Sequence, residues 1–431
     1  MKINRGKNAL RLRKRFRESF LWFIFEVAAM PDSSPSPLPE GRGHPQTYPI
    51  GDDVATPSLT GEILRQIDEN GPLDFAEFME LALYEPKLGY YARHTRQIGR
   101  RGDFFTSVST GPLFGELLAR RFLKFWHEIG APQKWRVIES GAHDGTLAFD
   151  ILTAIHAISP TAADSLEYAI AEPLDTLRAA QNAKLARFAK NIRQVGNPLE
   201  LAKERLPGIA FGNEVLDALP FHVVERHESS WLELRVSRDD DASLAWTRHA
   251  ITNPALIAAL APLGEHFTDG HRTEIRTNFV DFLQPLSAAL DHGLMIWIDY
   301  GFAAADLHHP LRHSGTLRTF SHHRAGDDPL TKPGEKDITA HVDFTAVAQA
   351  AMELGGKATN FHNQGAWLTE LARDWLTGRE GNPSAAEIRQ FQTLTHPAQL
   401  GGKFQVLEIS WDPNAAPQDP ASLSRRLFPH D

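Results

Sequence analysis

The sequence predicts an α/β fold organised around a Rossmann-like parallel sheet. Three observations predict it. The stretch Trp135-Arg136-Val137-Ile138-Glu139-Ser140 is an apolar run ending in an acid, followed by a tight turn with Gly141 and Gly145 and a helix opening at Thr146. A second apolar run, Leu166 to Ala171, ends in Glu172 and leads into another helical pattern. Strand, helix, strand, helix is the signature of parallel β-α-β units. A further run, Gly208 to Phe211, leads into Asn213-Glu214-Val215-Leu216-Asp217-Ala218-Leu219-Pro220, a polar cluster at a strand end. Open α/β sheets bind ligands beyond the carboxyl ends of their strands, so these three ends delimit the expected site.

The chain has 431 residues, enough for two or three domains of ordinary globular composition. It has no cysteine, which excludes disulfides, thiolate zinc sites and cysteine nucleophiles. The net charge of −9 is unevenly spread: eight basic residues and Glu18 leave the first 20 residues at +7, so the rest carries −16. An acidic body argues against a nucleic-acid binder and suits a basic protein substrate.

Residues 1–57 read as a basic start and a linker. Phe20 to Phe25 is too short an apolar run to span a membrane. The start has the marks of a signal peptide, an organellar presequence or an amphipathic surface helix; translation beginning at Met30 is the preferred reading. The expected location is a bacterial cytoplasm, or the mitochondrial matrix if the basic start is a genuine presequence. Pro31 to Pro49 has linker composition.

Residues 58–134 read as a helical cap. Ile63 and Ile67, then Phe75, Phe78, Met79, Leu81 and Leu83, give two short amphipathic helices, and Gly111 to Ile129 gives a longer one. Between them, Tyr90 to Ser109 is an aromatic, Gly-bearing loop containing Asp103 and Thr106, of the length that serves binding sites. Residues 135–220 hold the first part of the core: the two strands above, with Pro173 expected in the first turn of the next helix, a short strand Ile192 to Val195, and the strand ending at the Asn213 cluster.

Residues 221–290 read as an inserted or attached region. Val223-Val224, Trp231 to Val236 and Leu244 to Trp246, separated by charged turns, predict antiparallel structure, and Phe279 to Leu290 predicts a helix. Residues 291–431 return to the core. Leu294 to Ile298 is a buried strand ending in Asp299-Tyr300-Gly301, and Thr316 to Phe320 reads as another. The segment 302–342 is rich in histidine, yet no spacing matches a zinc arrangement, so it reads as a covering loop and no metal is expected. A helix with its N-cap at Asp343 or Thr345, helices at about 363–377 and 384–394, and a last strand from Phe404 to Ile409 complete the chain.

An acid at the tip of the second strand, Glu172, can accept both ribose hydroxyls of an adenosine-containing ligand, or can simply serve the dipole of the following helix. Two donors fit that position, a nicotinamide dinucleotide and S-adenosylmethionine. The turn from Gly141 to Gly145 lacks the G-x-G-x-x-G spacing that brings backbone onto a pyrophosphate. S-adenosylmethionine has no phosphate, so the methyl donor is favoured. Asn213, Glu214 and Asp217 read as a wall gripping a polar or cationic group, or as helix caps.

The motifs also resemble a known family. Gly102-Asp103-Phe104-Phe105-Thr106-Ser107 with Phe114-Gly115, Asn213 to Pro220, Ile298-Asp299-Tyr300-Gly301, Pro333-Gly334 with Asp337 to Phe344, and Gly401 to Leu407 occur in the order seen in MidA-like proteins. The resemblance covers about residues 58–410. It implies a Rossmann-like class I methyltransferase using S-adenosyl-L-methionine and acting on a protein side chain, with arginine as one candidate. The family includes a mitochondrial complex I assembly factor that modifies an arginine. By resemblance, Glu139, Gly141 and Gly145 form the donor turn, Glu172 holds the ribose, Asn213, Glu214 and Asp217 face the transferred methyl, and the loop from Asp103 to Thr106 closes over the site. A homodimer is left open. Two positions depart from the family pattern: His143 stands for the middle glycine of the turn, and Val108-Ser109 stands for a Pro-Glu pair. The alternatives are a non-catalytic family member that binds a partner protein, and a nicotinamide-dependent oxidoreductase.

Overall fold

The computed structural model describes residues 58–93, 106–264, 266–321, 324–326, 328–377, 382–412 and 420–428. The basic start, the linker, Asp103, His322 and His323 lie outside the described residues.

The core is an eight-stranded sheet: seven strands, β1 (Trp135–Ser140), β2 (Leu166–Ala171), β3 (Ile192–Val195), β4 (Leu206–Asn213), β5 (Leu290–Phe302), β6 (Lys357–Asn363) and β7 (Phe404–Ser410), form its main path, and the short strand Val342–Asp343 pairs parallel with the end of β5. The seven lie in the order β3-β2-β1-β4-β5-β7-β6. Neighbours from β3 to β5 are parallel, while β7 runs antiparallel to both β5 and β6. All six residues of β1 are buried, as a strand covered by helices on both faces requires. Even Arg136 is buried there. Its Nε donates to Glu167 at 2.6 Å and its Nη1 to the Leu201, Glu204 and Ala289 carbonyls. Helices Leu113–Glu128 and Thr146–Ile158 cover one face and Phe279–Ala288 and Phe344–Glu353 the other.

Register then sets the site. Ser140 pairs with both Ala171 and Gly212, and Asn213 pairs with Ile298. The carboxyl-terminal parts of β1, β2, β4 and β5 therefore lie along one edge, with the Gly141 turn, Glu172 and Glu214 just beyond their strands and Asp299 inside β5, one residue past Ile298.

The antiparallel region makes a sheet of its own rather than an extension of the core. His222–His227, Ser230–Arg238, Leu244–Ala250 and Arg272–Ile275 form it together with Leu73–Asp74 from the N-terminal region. Helices Leu59–Asn70 and Phe75–Tyr84 pack on it through Ile63, Ile67, Phe75 and Phe78 against Val223, Leu234 and Val236.

Several local expectations shift. Pro173 precedes its helix, which begins at Asp175, because the Glu172 carboxylate takes the Leu174 N–H and makes a turn there. Thr316 and Leu317 give their N–H groups to the Glu274 carboxylate, so strand pairing begins only at Arg318. The long helix starts at Leu113, since Gly111 sits at φ 135°. The helix expected over 363–377 divides at Ala372 into Gln364–Leu371 and Arg373–Leu376. Of the two N-cap candidates the structure selects Asp343, which accepts from Thr345 and Ala346.

Candidate active site

The β1 turn is built by backbone conformation. Gly141 has φ 71° and Gly145 φ 79°, the left-handed region glycine enters freely. A Cβ on Gly141 would lie 2.6 Å from Val215 Cγ2, so only glycine lets this turn touch the turn after β4. Gly145 starts the helix Thr146–Ile158 and packs against Gln181 and Leu185; it shapes the turn and does not line the cavity. His143 is also left-handed, at φ 45°.

Two buried acids flank the turn. Glu139 accepts from the Tyr168 hydroxyl at 2.7 Å, and burial pushes its carboxyl up to about 8 against that hydrogen bond. Glu172 accepts from Leu174 N–H at 3.0 Å on one oxygen and from Gln181 Nε2 at 3.2 Å on the other. Burial pushes it to about 7, opposed by those same bonds. A carboxylate has about four acceptor positions, so each oxygen of Glu172 keeps capacity for a further donor.

The opposite end is organised by Asp299. Its Oδ2 accepts from the N–H groups of Val215, Leu216 and Asp217 at 2.8–3.2 Å, and its Oδ1 from Tyr300. This fixes the turn that presents Glu214 and Asp217. Glu214 takes a left-handed φ of 56° and donates its N–H to the Ile298 carbonyl. Asn213 Nδ2 donates to Glu214 Oε1 at 2.9 Å. Burial first, then the Asp217 charge, pushes Glu214 to about 8; burial pushes Asp217 to about 6, held back by Arg276.

Arg276 is buried and stands in no periodic pattern or motif of the sequence. It donates from Nε to the Leu219 carbonyl, from Nη2 to Asp217 and Ala340, and from Nη1 to His341. It thus ties the turn after β4 to the segment carrying Asp337. Tyr91 donates to Asp337 Oδ1 at 3.0 Å, and Tyr84 to the Ala218 carbonyl at 2.9 Å, with their rings 5.3 Å apart. Glu80 lies on the same side.

One cavity of about 780 Å³ joins both ends. Among the sequence candidates, Glu139, Gly141, Glu172, Asn213, Glu214, Asp217 and Thr106 line it together. Thr106 is fixed by mutual bonds with Ser109, and both line the cavity. Glu80, Tyr84 and Arg276 were not among the sequence candidates. Their signals were faint: Glu80 and Tyr84 sit on the polar side of an ordinary amphipathic helix. Asp299 and Asp337 lay within quoted motifs without an assigned role.

Elsewhere, Asp74, His222 and Glu233 bring ligand atoms within 4.8 Å of one another. Glu233 already pairs with His222 and Arg235, and Asp74 caps its helix, so the trio acts as an ion-pair network. In the histidine-rich segment, His308 bonds Thr273 and Asp343, and His341 lines the cavity.

Residues 117–362 match a family described as S-adenosyl-L-methionine-dependent methyltransferases. The chain belongs to this family. As a class I methyltransferase it is 26% identical over 421 residues to the mitochondrial protein arginine methyltransferase NDUFAF7 homolog of Drosophila melanogaster, with 90% of this chain and 93% of that protein covered. The Homo sapiens protein arginine methyltransferase NDUFAF7, mitochondrial, is 26% identical, covering 83% of this chain and 84% of its own. A crystal structure of a superfamily member from Burkholderia thailandensis, bound to S-adenosyl-homocysteine, is 32% identical with a TM-score of 0.74; it covers 83% of this methyltransferase and 93% of that chain. No described helix of the methyltransferase is long and apolar enough to cross a membrane.

Proposed function

We propose that this S-adenosylmethionine-dependent methyltransferase modifies an arginine side chain of a protein. The observation that carries the reading is that the acids Glu214, Asp217 and Asp337 line the same cavity as the β1 turn. The names of the mitochondrial relatives support arginine.

The donor end fits the methyl donor chemically. Glu172 has acceptor capacity for two ribose hydroxyls, the Gly141 backbone allows close approach, and no phosphate cradle is present in the turn. S-adenosylmethionine supplies an electrophilic methyl whose transfer forms an N–C bond, breaks the C–S bond with its electron pair left on sulfur, and frees one proton from the nitrogen. The protein's part is alignment, which is worth several kcal/mol, roughly up to ten in the best cases. A guanidinium is cationic at neutral pH, and Glu214 and Asp217 hold it with charge-assisted N–H to O bonds. Its charge draws their carboxyls down into the ionised range. Glu214, with the highest proton affinity of the pair, then takes the proton the nitrogen loses. Thr106 and Ser109 wall the same cavity, and water kept out there strengthens these contacts.

The test is calorimetric titration with S-adenosyl-homocysteine, followed by methyl transfer to arginine peptides. Donor binding should weaken at least about tenfold in Glu172→Ala, and transfer should fall in Glu214→Gln with donor affinity kept. A folded protein that binds no donor would replace the enzyme reading with that of a partner-binding module.

A further inference from the structure

Helix Phe75–Tyr84 buries Phe75, Phe78, Met79, Ala82 and Leu83 in the second core. Its first turn is closed by a capping box, in which Glu77 N–H donates to Asp74 Oδ1 and Asp74 N–H to Glu77 Oε2. These two acids are thereby used. Glu80, one turn on, lines the cavity and has no hydrogen bond or ion pair among the described residues. The charges nearest it on its own helix are the acids Asp74 and Glu77. One turn further along the same helix stands Tyr84, whose hydroxyl donates to the Ala218 carbonyl beside Asp217, with Asp337 held by Tyr91 next to it. Glu80 is a half-buried, cavity-lining carboxyl whose charged neighbours on its own helix are acids, so its ionisation is opposed until a positive charge stands beside it. Such a group is explained by something that enters the cavity carrying positive charge.

We propose that Glu80 is a further acceptor-binding residue, pairing with the cationic side chain of the substrate from helix Phe75–Tyr84, in the cavity it shares with Glu214 and Asp217. This rests on the arginine reading above. A guanidinium is planar and offers five N–H donors in a fixed fork. Several carboxylates can share these donors, Glu214 and Asp217 from the turn after β4 and Glu80 from the helix Phe75–Tyr84. Burial pushes the Glu80 carboxyl up to about 8, so the unliganded cavity holds it protonated at neutral pH, and an entering cation ionises it.

The test uses the full chain with saturating S-adenosyl-homocysteine, and N-acetyl-arginine amide as probe, followed by saturation-transfer NMR. The wild type should bind the probe. Glu80→Gln should weaken it at least about tenfold, leave donor affinity unchanged, and keep or raise Tm, because an unsatisfied acid is replaced by a neutral amide. A purely structural Glu80 would show the reverse: Tm falls and the probe still binds, which overturns the proposal. Unchanged probe affinity in Glu80→Gln at unchanged Tm overturns it too. Should that variant fail to fold, Glu80→Ala is measured the same way. N-acetyl-lysine amide separates this proposal from the reading beneath it. If the wild type takes only the lysine probe, and Glu80→Gln loses it, arginine falls and Glu80 stands. If the wild type takes neither, both fall.

Discussion

Glu139 shows what a single buried acid does to the pH response of the fold. Its carboxyl rises from an ordinary 4.5 to about 8 on folding, chiefly through burial. The native state then binds more protons than the unfolded chain between those values, so stability is full below about 4.5 and drains away as pH rises toward 8. Thermal unfolding of the unliganded protein should therefore fall over that window, and Glu139→Gln should flatten the slope; an unchanged slope would mean that Glu139 is ionised in the fold. His143 makes a different case. A left-handed backbone costs a residue with a side chain about 1–2 kcal/mol, part of which glycine returns as unfolded-chain entropy. His143→Gly should change stability by less than about 1 kcal/mol and should not weaken donor binding; a large loss in calorimetry would instead make the imidazole a donor contact.

At the scale of elements, Arg276 joins two walls that are distant in sequence. Four carbonyls, of Asp217, Leu219, Ala340 and His341, accept from one side chain. Arg276→Met takes a donor from each of the four, although the Asp217 carbonyl keeps the Ala340 N–H at 3.3 Å, and should cost more than about 3 kcal/mol in urea unfolding. Arg276→Lys, which can satisfy some of them, should cost less. A loss under about 1 kcal/mol in Arg276→Met would show that these bonds do not hold the two walls together. This element also marks the limit of the sequence. Most strands of the core were legible as apolar runs with a polar end, as β1 and β2 illustrate, whereas β6 was not read as a strand, because only Ala358 and Phe361 of Lys357–Asn363 are apolar. The Asn213 cluster was legible because polar residues at a strand end stand out. Arg276 follows a short edge-like strand in no pattern, and its partners lie about 60 residues away on either side. The same long-range chemistry moved the start of the strand at Thr316: Glu274 captures its N–H groups, which local propensity cannot foresee. Glu80 was hidden for the opposite reason, since its lack of partners has no signature in a helical pattern.

Over the whole molecule, the cavity lies where the core sheet meets the second sheet and its helices, so occupancy of the donor end should stabilise both. Saturation with S-adenosyl-homocysteine at about 100 times Kd adds about 2.7 kcal/mol, and at the same ligand concentration the Tm rise should shrink by about half or more in Glu172→Ala. An undiminished rise there would place the donor elsewhere. The order of the core strands has a consequence for synthesis. β7 is the last strand to be made, and it fills the gap between β5 and β6. A ribosome that has released residues up to about 400 has produced two strands with a vacant slot between them, each offering an open ladder to any passing chain. Nascent molecules must wait for residues Phe404–Ser410 before the sheet can close. Premature stops just ahead of Phe404 should yield aggregates rather than shortened enzymes, and chaperone dependence should be greatest during that final stretch of translation.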